Sequence, residues 1–265
     1  MILTVEHITR YRYDSPVRGL VQSHRLTPAT TEGQRVLDWQ VVVSDGLQGG
    51  TFRDGAGDVI ESWSVLGPVD EVEIRVTGRV ETNDQAGVLR GHRETIAPFC
   101  YLRDTALTHP GGAIPTLARS ALGREPLAAA HHLASLVGEM IVWTTGATQS
   151  QTTAAEALER GQGVCQDHTH ALVTLAREIG MPGRYVSGYL MAEGLQEAAH
   201  AWAELYVNGL GWVGFDAANR CCPDDRYIRL GSGLDAQDAA PIRGSARGGG
   251  GEVLDVTVAV QQAQQ

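Results

Sequence analysis

The sequence predicts an α+β fold: a β-sandwich over residues 1–85, then a second unit over residues 86–265 in which helices pack on an antiparallel sheet. Three observations predict it. The first 85 residues break into segments rich in β-branched and aromatic residues. Between residues 114 and 180 the apolar side chains recur at helical spacing instead. Beyond residue 184 strand patterns return, with an Asn208-Gly209 turn between two of them. A length of 265 residues also exceeds the usual single-domain size.

In the first unit, residues 2–13, 36–44, 59–66 and 69–81 alternate partially, and clusters such as Asp54-Gly55-Ala56-Gly57-Asp58 separate them. Short strands at this spacing predict a sandwich. No chemistry is evident in this half. Residues 83–112, with Pro98, Pro110 and Gly111-Gly112, read as a linker or wrapping segment. Helices are expected over 114–122 and 126–142, with Pro126 in a first turn and Leu133, Leu136, Val137 and Met140 as a core stripe. Thr152-Thr153-Ala154-Ala155-Glu156 predicts the capped start of a short helix ending near Arg160-Gly161. Leu254, Val256, Val258 and Val260 alternate as a strand face that closes the second unit.

Acidic residues outnumber basic ones 31 to 21, a formal charge of −10 that repels phosphate backbones and disfavours nucleic-acid binding. No basic n-region or long apolar segment is present near the N-terminus, and no stretch reaches membrane-spanning length. The expectation is a soluble, cytoplasmic protein without a membrane partner. Cys100, Cys165, Cys221 and Cys222 are read as thiols, since the adjacent pair would bridge only with strain.

The chemistry begins at Gly161-Gln162-Gly163-Val164-Cys165-Gln166-Asp167. Two glycines allow a tight turn, and Leu172, Leu175, Ala176 and Ile179 mark a helix that ends at Gly180 and Pro182. Cys165 therefore falls at a helix N-terminus, where free N–H groups and the macrodipole favour a thiolate and can cradle an oxyanion. Residues 184–190 read as a strand, 191–199 as a loop, 200–207 and 210–216 as further strands. His200, Trp202, Glu204 and Tyr206 share one face, a base with an aromatic wall suited to a cleft rim. Cys165, His200 and Asp216 then supply nucleophile, base and orienting acid, provided Asp216 reaches the His200 face. A strict two-residue Asn-Gly turn would point Asp216 away. The triad therefore predicts a three-residue loop or a bulge, with Gly209 and Gly211 supplying the freedom.

Gly163-Val164-Cys165-Gln166-Asp167, Arg184-Tyr185-Val186-Ser187-Gly188-Tyr189, His200-Ala201-Trp202 and Gly211-Trp212-Val213-Gly214-Phe215-Asp216 together resemble the core of bacterial transglutaminase-like proteins. The resemblance extends over almost the whole chain, with the first half similar to the β-rich region preceding such cores. Ala240-Pro241-Ile242-Arg243-Gly244 resembles their C-terminal segment. It implies a papain-like transglutaminase core with the catalytic roles on Cys165, His200 and Asp216. It also implies a peptide or protein substrate, with water or an amine as acyl acceptor. The family's Pro-Thr-Asn after the acid is here Ala217-Ala218-Asn219, and His168 stands where an apolar residue is usual. These departures make an inactive peptide-holding module the alternative from another class.

Of the remaining candidates, Asp167 is expected to cap the helix, and Trp143, Trp202, Tyr189 and Glu204 to line or support the cleft. Cys165, His168, His170, Cys221 and Cys222 lack the paired spacing of a zinc site, so neither metal nor cofactor is expected. The sequence specifies no oligomeric partner.

Overall fold

A computed structural model describes residues 1–191 and 198–263. The chain opens with four strands, β1 (Ile2–His24), β2 (Gln34–Val43), β3 (Gly46–Arg53) and β4 (Val59–Thr82). β1 and β4 pair antiparallel along almost their full lengths, with register shifts between Arg12 and Gly19. Residues 59–66 and 69–81, expected as separate strands, are one, because Gly67-Pro68 falls at that irregularity and bends the strand without ending it. β2 pairs with the C-terminal part of β4 and β3 with its N-terminal part. The two layers of the expected sandwich are thus two halves of one continuous sheet. Their inner faces meet in a shared core, where Leu20, Trp63 and Val65 of one half pack with Val72, Ile74 and Val76 of the other.

The second unit begins with a single 3-10 turn at Pro98–Leu102. Next come α1 (Ile114–Arg119), α2 (Pro126–Met140), β5 (Val142–Trp143), α3 (Ala154–Arg160), β6 (Gln162–Gly163) and α4 (Cys165–Glu178). A four-stranded antiparallel sheet follows, built from β7 (Gly183–Leu190), β8 (Ala199–Val207), β9 (Gly211–Phe215) and β10 (Tyr227–Gly233) in the order β10-β7-β8-β9. The fold is α+β. Of the loop expected at 191–199, residues 192–197 lie outside the described residues.

α4 is the axis of this unit. Ala171, Leu172, Leu175 and Ala176 are fully buried against Leu133 and Val137 of α2, Ala154 and Ala157 of α3, and Ala203 and Leu205 of β8. Every residue from Asp167 to Arg177 is buried, so the helix is surrounded and has no solvent face. Burying its polar residues requires partners. Arg177, for instance, donates to Tyr101 O, Gly183 O, Leu234 O and Thr108 Oγ1.

The domain division drawn at residue 85 needs one correction. β11 (Ile242–Ala246) and β12 (Glu252–Gln262) both pair with β1, so the C-terminal segment belongs to the first sheet. β1 offers a free edge 23 residues long, and the two strands fill it in tandem. Alternation in β12 predicted a strand but carried no information about which sheet it joins.

Buried charges tie the units together. Glu204 on β8 accepts from Arg184 Nε at 2.7 Å and from Arg229 Nε at 3.0 Å. Arg184 also pairs with Glu94 at 2.5 Å and lies 4.0 Å over the Trp212 ring. Arg229 reaches Asp58 of the first unit at 2.6 Å. Burial alone pushes the Glu204 carboxyl up, but the two guanidinium groups outweigh it and hold it at about 2. Removing one partner from such a cluster leaves charge stranded in a low dielectric. Glu204→Ala is expected to destabilise the protein by about 3–5 kcal/mol, read from urea unfolding. A loss below about 1 kcal/mol would mean that the network is hydrated and weak.

Three buried histidines predict the acid response. His7, His24 and His170 are each pulled from 6.5 to about 4 by burial. The unfolded chain takes up these protons below about pH 6.5, whereas the folded chain does so only near pH 4, so stability falls across that window. Each histidine contributes a slope of up to about 1.4 kcal/mol per pH unit. Denaturant midpoints measured from pH 7 to pH 4 are expected to fall steadily.

Candidate active site

Cys165 is the first residue of α4, and Val164 before it is extended at φ −113° and ψ −172°. Asp167 makes this turn. Its Oδ2 accepts from Val164 N at 2.8 Å and from Thr148 Oγ1 at 2.7 Å, satisfying a donor left free by the helix start. At Gly163 any Cβ would lie 2.6 Å from Asp167 Cβ and Oδ2, so the cap requires glycine there. Asp167 is buried and supports the Cys165 turn from behind. On the outer side Trp143 pairs with Gly163 through the parallel β5–β6 bridge and lies 6.3 Å from the His168 ring. Trp143 is 49 % exposed and borders the Cys165 turn. The thiol is half-buried against Tyr185, Ala201 and Ala239.

The register of the β8–β9 hairpin settles where Asp216 points. Val207 pairs with Gly211 across a three-residue loop, with Gly209 at φ 87° and Gly211 at φ 86°. Tyr206↔Trp212 and Glu204↔Gly214 follow, and the same count places Asp216 beside Trp202, on the face of His200. The irregularity that the triad required is present. His200 Nε2 lies 2.6 Å from Asp216 Oδ2, and both residues are buried.

Asp216 is held from several sides. Asn219 donates its backbone N–H to Oδ1 at 3.1 Å and its amide to Oδ2 at 2.7 Å. The Tyr227 hydroxyl donates to Oδ2 at 2.8 Å. Reciprocal backbone bonds between Asp216 and Cys221 close the turn that carries Asn219. Burial by itself lowers His200, yet the hydrogen bonds and charges of Asp216 and Cys165 outweigh it and raise the imidazole to about 9. Asp216 is correspondingly lowered: burial opposes ionisation, but the His200 and Asn219 hydrogen bonds prevail. Because Nε2 engages Asp216, Nδ1 is the ring nitrogen left for a second partner.

Three expected cleft residues lie elsewhere. Glu204 sits in the buried ion network, because arginines on β7 and β10, the two strands on one side of β8, both reach its carboxylate. Trp202 is 3 % exposed and packs edge-on against Tyr227 at 5.5 Å, backing the site without lining it. Tyr189 is buried between the units, with its hydroxyl 2.8 Å from His7 Nδ1. Tyr185, four residues earlier on the same strand, is the tyrosine that meets Cys165. His168 lies between the Val164 and Ile141 carbonyls at 2.9 Å each, and His170 Nε2 accepts from Ala236 N. Among the described residues no group of three or more His, Cys, Asp or Glu is placed to hold a metal ion.

Comparison with known proteins agrees with this architecture. Residues 116–217 match the model of the transglutaminase-like superfamily core, and residues 3–81 match the bacterial transglutaminase-like N-terminal region. The chain therefore carries a transglutaminase-like superfamily core preceded by a bacterial transglutaminase-like N-terminal region. The transglutaminase-like fold is also that of a candidate cysteine protease from Cytophaga hutchinsonii, with a TM-score of 0.77 at 20% identity over 100% of this chain and 92% of that one. An uncharacterized protein of Mycobacterium leprae is 28% identical over 97% of this chain and 98% of its own length. An uncharacterized protein of Mycobacterium tuberculosis is 28% identical over 97% and 91%. The two matched regions fall on the two units, and Cys165, His200 and Asp216 all lie within the core match.

The ion pair predicts two titrations. His200 is raised above its unfolded value, so its stabilisation is complete below about pH 6.5 and lost as pH rises through about 9. Together with the buried neutral histidines, this places maximum stability near pH 6.5. In Asp216→Asn the His200 imidazole, followed by NMR, is expected to titrate well below about 9. An unchanged titration would rule out the pair as the cause of the shift.

Proposed function

We propose that this protein is a thiol-dependent acyl-transfer enzyme acting on peptide or side-chain amides, with Cys165, His200 and Asp216 as nucleophile, base and orienting acid. The observation that carries the reading is the hairpin register, which brings Asp216 onto the His200 face with its carboxylate 2.6 Å from the imidazole.

His200 holds the proton given up by Cys165. The sulfur attacks the carbonyl carbon, and backbone N–H groups of the first turn of α4 stabilise the oxyanion. The tetrahedral intermediate collapses, the C–N bond breaks, and the leaving amine takes the proton from His200. A thioester remains on Cys165. His200 then removes a proton from the acceptor, which attacks the thioester and frees the thiol. Asp216 keeps the imidazole oriented throughout and stabilises its charged form. Water is the proposed acceptor, since an amine prevails only where a site binds it and excludes water. The protein is then a cysteine peptidase or amidase.

Product masses from a peptide library, with and without an added primary amine, test the acceptor. The chain contains no lysine, so an isopeptide product reports the added amine without a self-crosslinking background. Hydrolysed product is expected to dominate, and an excess of amine adduct would replace hydrolysis with transfer. Cys165→Ala should abolish turnover, and His200→Ala should reduce it by about 10²–10⁴-fold. Since the leaving amine needs the His200 proton, kcat/KM is expected to decline as pH rises through about 9. Iodoacetamide should label Cys165 ahead of Cys100, Cys221 and Cys222, and Cys165 should lose that lead in His200→Ala. A Cys165 that reacts no faster than the other three would favour the peptide-holding module.

A further inference from the structure

Asp216 needs an external reference. Three donors converge on its Oδ2: His200 at 2.6 Å, Asn219 at 2.7 Å and Tyr227 at 2.8 Å. Asn219 belongs to the same short turn as Asp216 and moves with it, and His200 is the group that Asp216 must orient. Tyr227 comes from β10, a different strand at the opposite edge of the sheet. Its ring is 5 % exposed and stands edge-on to Trp202, itself buried, at an interplanar angle of 84°. A phenol so packed can swing only its hydroxyl hydrogen. The segment before it is anchored as well, because Thr82 Oγ1 donates to Asp225 O at 2.5 Å and the Met1 ammonium lies 3.7 Å from the Asp225 carboxylate.

We propose that Tyr227 is a positioning residue for the acyl-transfer reaction, its hydroxyl fixing the Asp216 carboxylate against the frame of the sheet in the orientation that receives His200. The functional consequence rests on the Cys165–His200–Asp216 reading; the contact itself does not. Burial and the neighbouring Asp216 charge push the phenol upward, so it remains a donor throughout the working pH range. Other titratable groups also face Asp216. His200 approaches from β8, and Cys221, 3.3 Å from the phenol oxygen, from the turn. His131 and Glu139 of α2, with Arg220 and Cys222, line the pocket of about 210 Å³ on its other side.

Tyr227→Phe keeps the ring and removes only the donor. With the carboxyls ¹³C-labelled, the Asp216 midpoint followed by NMR is expected to rise by about one pH unit, because a donor to the ionised form is gone. Tyr206→Phe, whose ring touches Trp212 and not Asp216, should leave it unchanged. In turnover the acid limb of kcat/KM should move up with the Asp216 midpoint, with kcat reduced and KM unaltered. Should Tyr227→Phe fold poorly, 3,5-difluorotyrosine at position 227 preserves the packing and strengthens the donor, and the midpoint should fall. A well-folded Tyr227→Phe or fluorinated protein with a wild-type Asp216 midpoint would overturn the proposal. The titration is read in resting protein, so a failure of Cys165 to form a thioester would overturn the catalytic reading and leave this one standing.

Discussion

The arrangement depends most on Glu204, a carboxylate buried between two arginines that are themselves inaccessible to solvent. Arg184 is fully buried and Arg229 nearly so. Each guanidinium was desolvated at a cost of several kcal/mol, recovered only if its carboxylate partners stay where they are. That requirement fixes β7, β8 and β10 relative to one another through Arg184, Glu204 and Arg229. Through Asp58 and Glu94 it also fixes where the first unit and the wrapping segment lie. An apolar contact of equal area would tolerate sliding by a residue. A carboxylate shared by two arginines does not.

With the sheet held, the geometry around Cys165, His200 and Asp216 reduces to two local decisions. One is the start of α4, where Asp167 secures the Val164 N–H and Gly163 leaves room for its side chain, so the thiol emerges at the first helical position. The other is the loop over residues 208–210. Its odd length selects which face Asp216 occupies. One residue fewer would have sent the carboxylate toward α4 and left His200 without an acid.

Much of this was legible in the sequence because it is encoded locally. Helical stripes and Gly-Pro stops defined α2 and α4, the Thr153 to Glu156 cap defined α3, and parity along two strands required the odd loop. What escaped is non-local. β10 reads Tyr-Ile-Arg-Leu-Gly-Ser-Gly, with few β-branched residues, and is a strand because β7 and the Asp58 carboxylate satisfy its backbone and side chains. Tyr227 was invisible for the same reason. Glu204 and Trp202 shared a face with His200 as parity dictated, but that face turns inward along the strand, and no periodicity reports what covers a sheet. Asn219 was recognised only as the residue retained where Pro and Thr were not. The structure shows that Asn219 donates two of the hydrogen bonds that Asp216 accepts.

The N-terminal sheet contributes no side chain to the nucleophile, yet the site is continuous with it. β10 is where the two meet. Arg229 and Ser232 of β10 engage Asp58, and the Arg229 backbone bonds Gln34 in both directions. Thr82, at the end of β4, holds Asp225 two residues before Tyr227, and Tyr227 holds Asp216. A chain of contacts therefore runs from the first sheet, through one strand of the second, to the Asp216 carboxylate beside His200. β11 and β12 return to the edge of β1 at the other end of the same connection. Both ends of the segment after β10 are thereby tied to the first unit. Through β10 the first sheet thus gives the Asp216 carboxylate a fixed point.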